Sequence, residues 1–581
     1  MAVVAAATAA APALWASGMR PSHAPHAMVA SVHELASKAG VEMMQAGGNA
    51  VDAAVATGFA LAVVHPQAGN LGGGGFLLLR MANGETHFLD YREQAPAAAT
   101  RDMYLDAQGK VIQDASTVGY RAIAVPGSVA GLVYAQKKWG KLPLAQVMAP
   151  AIRLAREGFA LSYEDARLFR DPDHHLGEFA ESKRIFQRDG AFYQPGEIFR
   201  QPELAATLDR IVRDPDDFYR GKLAQELAAA VQKGGGLMTA KDLAAYEVKE
   251  REPVRGSYRG YEIISTPPPS SGGIALIEIL NILEGYDLRR LGSRSADSMH
   301  LTAEAFRRAF FDRAEFLGDP DFATIPVAQL MDKKYAAAWR ESLDPAHASA
   351  SAELHRPAFR ELDRYAGKRP RRAPRERVHT THYSVVDAEG NAVAVSTTLN
   401  DSFGSAVTAQ GLGFLLNNEM DDFTTKPGVP NIYGLVQGPA NAIGGGKRPL
   451  SSMTPTMVTK NGKLFLVIGS PGGSTIISTV ANILMGVVDY GMNIQEAVNA
   501  PRFHHQWLED AIYLERGRFS PDTLHLLKAR GHRLHEWGPW QTASDLPTAL
   551  WGDGECILID PKTGERLGAS DARNNGKAVG F

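Results

Sequence analysis

A Pro- and Arg-rich stretch from His355 to Val378, with Lys368-Arg369-Pro370-Arg371-Arg372 inside it, divides this chain into two parts of different periodicity. Before it, apolar residues recur at intervals of three and four, the helical signature; after it, β-favouring runs take over. Pro removes backbone donors and clustered like charges resist burial, so the stretch reads as an exposed linker. A basic arm for nucleic acid is the competing reading, but 61 basic against 64 acidic residues leave a net charge of −3. That balance gives no reason to expect nucleic acid or an anionic membrane as partner. The chain therefore reads as a mainly helical part and a mainly sheet part, meeting near residue 379.

In the first part, a helical pattern runs from Val29 to Gln67, interrupted by Gly47-Gly48, with Asn49 placed to cap the second helix. The loop Gly69–Gly75 then leads into expected strands at Phe76–Arg80 and His87–Tyr91. Further helices are expected at Ser128–Lys137, Leu204–Val212, Gly273–Leu283 and Ser295–Ala314. In the second part, Thr380–Asp387, the turn Glu389-Gly390-Asn391 and Ala392–Leu399 form a hairpin. A strand at Leu464–Ile468, the loop Gly469-Ser470-Pro471-Gly472-Gly473 and a helix at Ser474–Tyr490 follow. The first residues carry no charge before Arg20 and contain small-residue sites such as Ala11-Pro12-Ala13, so residues 1–22 read as an export leader. That implies a periplasmic or secreted protein. No run approaches the roughly 20 apolar residues of a bilayer span.

Several familiar patterns fail on inspection. The glycines at 69–75 follow a helix and precede a strand, the reverse of a dinucleotide fingerprint. Gly127-Ser128 and Gly469-Ser470 lack the glycine two before the serine of a hydrolase elbow. His33-Glu34 has no second histidine at helical spacing. The pairs His174-His175 and His504-His505 have no metal-ligand spacing and are expected at surface or loop positions. Cys556 is the sole cysteine, which excludes an intrachain disulfide, and its apolar flank marks a buried inert thiol. Neither a metal nor a cofactor is implied.

Chemistry remains at one place, the hydroxyl of Thr380 at the head of a strand directly after the linker. A threonine needs no histidine base if its own free α-amine takes the proton, and this requires cleavage of the His379–Thr380 bond. An α-amine with a pKa of about 8 keeps a useful neutral fraction at physiological pH. Gly472-Gly473, just before the helix at Ser474, would present backbone N–H groups to an oxyanion.

Thr380-Thr381-His382-Tyr383-Ser384-Val385-Val386-Asp387 resembles the start of the small subunit of γ-glutamyltransferases, within the N-terminal-nucleophile hydrolase superfamily. The resemblance extends over nearly the whole chain after the leader. It includes Gly47-Gly48-Asn49-Ala50-Val51-Asp52-Ala53-Ala54, Asp90-Tyr91-Arg92-Glu93, Pro267-Pro268-Pro269-Ser270-Ser271-Gly272-Gly273 and Gly318-Asp319-Pro320. It continues through Asn417–Phe423, Lys447-Arg448-Pro449-Leu450-Ser451-Ser452-Met453, Ala500-Pro501-Arg502-Phe503-His504-His505 and Gly568-Ala569-Ser570-Asp571.

This resemblance implies an α/β (α+β) fold, a four-layer αββα sandwich. It implies a proenzyme that cuts itself between His379 and Thr380 into a large subunit (residues 23–379) and a small one (380–581) that stay together as a heterodimer. Thr398 would hydrogen-bond the nucleophile. Arg92 would clamp the α-carboxylate of a γ-glutamyl group with help from Ser451 and Ser452, while Asn400, Glu419 and Asp422 hold its α-ammonium. Tyr433, in Pro427–Gly434, would belong to a lid; read by residue physics alone, that segment is a surface turn. Substrates would be glutathione and other γ-glutamyl compounds, with water, amino acids or peptides as acceptors. Two departures stand out: the linker is longer and more basic than is usual for the family, and Glu419 is glutamine in some relatives. The rivals are a glutaryl acylase of the same fold, for which an ammonium site is superfluous, and an uncut protein that binds γ-glutamyl peptides without turnover.

Overall fold

The computed structural model describes residues 19–363, 380–537 and 551–581. The leader up to residue 18, most of the linker and His379 lie outside the described residues. Two seven-stranded antiparallel sheets are stacked face to face. The first runs, edge to edge, Lys577–Gly580, Met28–Ser31, Thr381–Val386, Ala392–Thr398, Gly74–Arg80, Thr86–Tyr91 and Lys249–Arg251. The second runs Ser22–Ala24, Arg566–Ala569, Cys556–Ile559, Lys463–Ile468, Thr456–Lys460, Tyr261–Ser265 and Val254–Tyr258. Helices Glu34–Gln45, Ala50–Val64 and Ser128–Trp139 cover the outer face of the first sheet. Helices Gly272–Leu283, Thr475–Val488 and Ile494–Asn499 cover the second. This is the expected αββα sandwich.

The period of two along a strand decides which core each side chain enters. In Ala392–Thr398, Val393 and Val395 join the cluster beneath helix Ala50–Val64, whereas Ala392 and Ala394 join the core between the sheets. Leu77 and Leu79 divide from Phe76 and Leu78 in the same way. A strand buried on both faces needs no polar face, which is why these segments read as continuous apolar runs. Helix Ala50–Val64 is likewise buried along its whole length, and Asn49 with Asp52 closes a capping box at its start.

Strands from both sides of the linker share each sheet, so the two parts are interleaved and not stacked end to end. Helical spacing marks the helices of the first part, but short strands such as Val254–Tyr258 and Tyr261–Ser265 lie hidden between them. The helical pattern expected from Val29 begins only at Glu34, because Met28–Ser31 pairs as a strand between Thr381–Val386 and Lys577–Gly580; the other expected helices and strands hold to within a few residues. The glycine loop has a packing explanation: a Cβ on Gly73 would lie 2.0 Å from the carbonyl oxygen of Thr398. The Gly73 carbonyl in turn accepts the N–H groups of Gly127 and Ser128, at the start of helix Ser128–Trp139.

One expectation is overturned. His504 and His505 are buried, not at the surface. The short strand Phe503–His504 packs against helices Ala296–Phe316 and Thr475–Val488, and the interior supplies partners for both rings. His504 sits 2.8 Å from Ser478 Oγ and 3.0 Å from Gln506 Oε1, and His505 Nδ1 accepts the Trp507 N–H. Cys556 is fully buried in its strand, and burial pushes its thiol well up, as an inert thiol requires.

Candidate active site

Thr380 directly precedes strand Thr381–Val386 and is 8% exposed. The register pairs Thr381 with Thr397, which brings the next residue outward, Thr398, beside Thr380. Their Oγ1 atoms are 3.2 Å apart. The Asn400 N–H donates to Thr398 Oγ1 at 2.8 Å, so one acceptor site of that hydroxyl is occupied. Asn400 has φ 79°, a left-handed conformation that asparagine tolerates better than most residues.

A pocket opens on Thr380. Thr398, Asn400 and Gly473 line it beside the strand pair; Arg92, Glu419 and Asp422 stand together as a charged wall; Ser451, Ser452 and Tyr433 complete it. Among the described residues, Gly472 is the one proposed site residue that does not line the pocket. It lies one residue back with φ 134°, close against Gly552, and leaves Gly473, with φ 50°, at the surface of the cavity. Leu435, Met453 and Ile476 add an apolar wall that no motif in the sequence marked.

The charged wall is internally matched. Arg92 is fully buried and meets Asp422 at 2.5 Å, Glu93 at 3.3 Å and Glu419 as a close ion pair. Its Nε also donates to the Pro449 carbonyl at 3.3 Å. Burial alone would depress the guanidinium, but Glu419, Glu93 and Asp422 together hold it above its ordinary value. Three carboxylates around one cation leave negative charge in excess. Burial therefore pushes Glu93 up to about 7 against the pull of Arg92, and pushes Glu419 well up for the same reason. Apart from the Arg92 ion pair, neither carboxylate oxygen of Glu419 has a hydrogen-bond partner among the described residues. Such a site has a cation and unsatisfied carboxylates waiting for a partner that carries both charges.

Tyr433 is buried over the pocket. Its hydroxyl donates to the Asn400 carbonyl at 2.6 Å, and Asn431 of the same loop donates to Asp422 at 3.1 Å. The Pro/Gly turn expected from residue physics is thus folded inward.

No histidine or lysine lines the pocket among the described residues. His382, two residues from Thr380, is buried between Ser396 Oγ at 2.9 Å and Ser384 Oγ at 3.2 Å. Burial pushes it down to about 3, so it stays neutral and structural.

Residues 36–581 match the family model described as gamma-glutamyltranspeptidase. A glutathione hydrolase proenzyme of Escherichia coli (strain K12) is 49% identical over 561 residues, covering 95% of this chain and 91% of the relative. One from Pseudomonas sp. (strain A14) is 48% identical over 569 residues, covering 97% and 96%. The solved cephalosporin acylase from Bacillus halodurans superposes with a TM-score of 0.82 at 27% identity, covering 98% of each chain. Similarity at nearly half identity, unbroken from the first helix to the last strand and carried on an αββα sandwich, makes this chain a member of the γ-glutamyltranspeptidase family.

Proposed function

We propose that the chain is a self-processing glutathione hydrolase and γ-glutamyltransferase whose nucleophile is Thr380. One observation carries this reading: the Thr380 hydroxyl, paired with Thr398, shares its pocket with a guanidinium set between carboxylates. A γ-glutamyl group presents an α-carboxylate and an α-ammonium, the complement of that wall. Its carboxylate would take the Arg92 fork with Ser451 and Ser452, and its ammonium would take Glu419, Asp422 and the Asn400 side chain.

Maturation begins when Thr380 Oγ1 adds to the carbonyl carbon of His379. The peptide C–N bond breaks, the acyl group passes to oxygen, and water hydrolyses the ester. The products are a carboxylate on His379 and a free α-amine on Thr380, dividing a large subunit (23–379) from a small one (380–581). In turnover the α-amine takes the Oγ1 proton as oxygen attacks the γ-carbonyl. Gly473 N–H, supported by Gly472, meets the oxyanion, and the resulting ammonium returns its proton to the departing amine. Water then releases glutamate, or an amino acid or peptide amine takes the glutamyl group, in a ping-pong cycle. Tyr433 closes over the ester and excludes bulk water.

No helix among the described residues is long and apolar enough to cross a membrane, and with the leader reading this supports a periplasmic or secreted enzyme. The test is intact mass and N-terminal sequencing of the purified protein, with Thr380→Ala beside it. A fragment beginning Thr380-Thr381-His382, absent in the variant, is the expected result; cleavage at another bond refutes the mechanism. The likeness to a cephalosporin acylase favours glutaryl amides as a second reading. Preference for glutaryl-p-nitroanilide over its γ-glutamyl counterpart would establish that reading instead.

A further inference from the structure

Arg313 lies in the last turns of helix Ala296–Phe316, 2% exposed, immediately behind the pocket wall. Unlike Arg92, it has no described carboxylate within ion-pairing distance, and its partners are all neutral oxygens. Nε donates to Ser271 Oγ at 2.9 Å, Nη2 to Ser452 Oγ at 3.2 Å, and Nη1 reaches Gln437 Oε1 at 3.5 Å. A buried cation without a counter-ion is costly to hold. Burial accordingly pushes Arg313 down to about 10, with only the more distant Asp422 opposing.

The two serines of the pocket are held in one common way. Ser452 Oγ accepts from Arg313, and Ser451 Oγ accepts from the Met453 N–H at 3.0 Å. A hydroxyl has one proton to give, and a donor at its back leaves that proton free for the front. No described residue accepts either proton. Arg313 also fixes the backbone of this segment through Ser271, whose Oγ donates to the Ser451 carbonyl at 2.7 Å. Ser451 and Ser452 are therefore preset as a pair of donors with an unmatched positive charge behind them. Such an arrangement favours an incoming carboxylate and offers nothing to an ammonium.

We infer that Arg313 is a positioning residue that commits Ser451 and Ser452 to donating toward the substrate's α-carboxylate and supplies the second positive charge which that carboxylate neutralises. The inference rests on the γ-glutamyl reading of the pocket. It separates the two ends of the zwitterion: Arg313 serves the carboxylate end alone, while the ammonium end is read by the acidic wall.

The experiment is competitive inhibition of γ-glutamyl-p-nitroanilide hydrolysis by three ligands on processed enzyme. L-glutamate carries both groups, glutarate lacks the ammonium, and 4-aminobutyrate lacks the α-carboxylate. In Arg313→Gln, L-glutamate and glutarate should each weaken on the order of 10-fold while 4-aminobutyrate changes by less than about 2-fold. Arg313→Lys, which keeps the charge and loses the fork, should lose less on the same two ligands. An equal loss on all three ligands in either variant would mean that Arg313 only supports the fold, and would overturn the inference. If Arg313→Gln yields no processed protein, Arg313→Lys alone decides by the same comparison. Should the unmodified enzyme fail to prefer L-glutamate over 4-aminobutyrate, the γ-glutamyl reading itself falls, a result distinct from loss of the Arg313 effect.

Discussion

Replacing Thr398 with valine removes one hydroxyl and almost no volume, which makes it a sharp probe of the nucleophile's surroundings. The losses include the 3.2 Å contact with Thr380 Oγ1 and the 2.8 Å bond from the Asn400 N–H. A neutral hydroxyl bond contributes about 0.5–1.5 kcal/mol, and a buried N–H left without a partner costs about 1–3 kcal/mol. Asn400 is 2% exposed, so water does not readily replace the lost acceptor. The two effects act on different steps. Loss of the Thr380 contact removes orientation of the attacking oxygen and should lower kcat. Release of Asn400 should loosen the ammonium end of the pocket and raise KM. Together they correspond to a fall in kcat/KM of about 100-fold, within the range those energies allow. Self-cleavage uses the same oxygen and should slow in parallel. Thr398→Ser keeps the hydroxyl and should stay within about 3-fold of the unmodified enzyme. The assay is initial-rate hydrolysis of γ-glutamyl-p-nitroanilide, with a gel time course of cleavage. Valine behaving like threonine in both, or serine failing as badly as valine, would refute the reasoning.

Arg92→Lys should raise KM for γ-glutamyl donors by about 10- to 100-fold with little change in kcat, because one ammonium cannot span the contacts of a planar fork; an unchanged KM in a saturation curve contradicts this. Acid should destabilise the protein through its buried neutral histidines. His65, His382 and His504 are each pushed down by burial from 6.5 to about 3. Below pH 6.5 the unfolded chain gains protons that the folded one refuses, so each group removes on the order of 2–3 kcal/mol of stability by pH 4.5, and more toward pH 3. Glu93 and Glu419, raised by burial, shift stability the other way over the same range, so the histidine contribution is read by difference: Tm of His382→Gln should fall less between pH 7 and 4.5 than Tm of the unmodified protein, and equal falls would count against these assignments. Cys556 should resist iodoacetamide in the native protein and react only in denaturant, read by mass spectrometry; rapid native labelling would mean the thiol is reachable.

Much of the fold was legible because its signals are local. The Thr380–Leu399 hairpin, the Asn49 cap and the helix after Gly473 all announce themselves within a few residues. Pairing between distant segments does not: strand Met28–Ser31 lies between Thr381–Val386 and Lys577–Gly580, and no local pattern encodes such a neighbourhood. His504 and His505 misled because adjacency suggests opposite directions, whereas a strand end inside the core buries both, with His504 bonded through each ring nitrogen and His505 accepting the Trp507 N–H. Arg313 belongs to none of the sequence motifs. Its meaning depends on Ser271 and Ser452, which only the tertiary structure brings to it. Arg92 lies more than three hundred residues from the neighbouring pair Glu419 and Asp422, and residue chemistry alone would leave each a solvated or capping group. Their convergence was reached through family resemblance.

The mixing of strands from both sides of residue 379 changes what unfolding means once the proposed cut is made. Four strands of the first sheet and three of the second precede the cut, and the remainder follow it. Neither product can keep a complete sheet by itself. Before the cut, collapse is a one-body event, and the tether holds the partners at a high effective concentration. Afterwards, denaturation releases two separate polypeptides, and their reunion becomes bimolecular and dependent on dilution. The mature enzyme would therefore persist by the height of its unfolding barrier more than by its ability to reassemble. Its shape would be a record of the uncut precursor, written once and not readily rewritten.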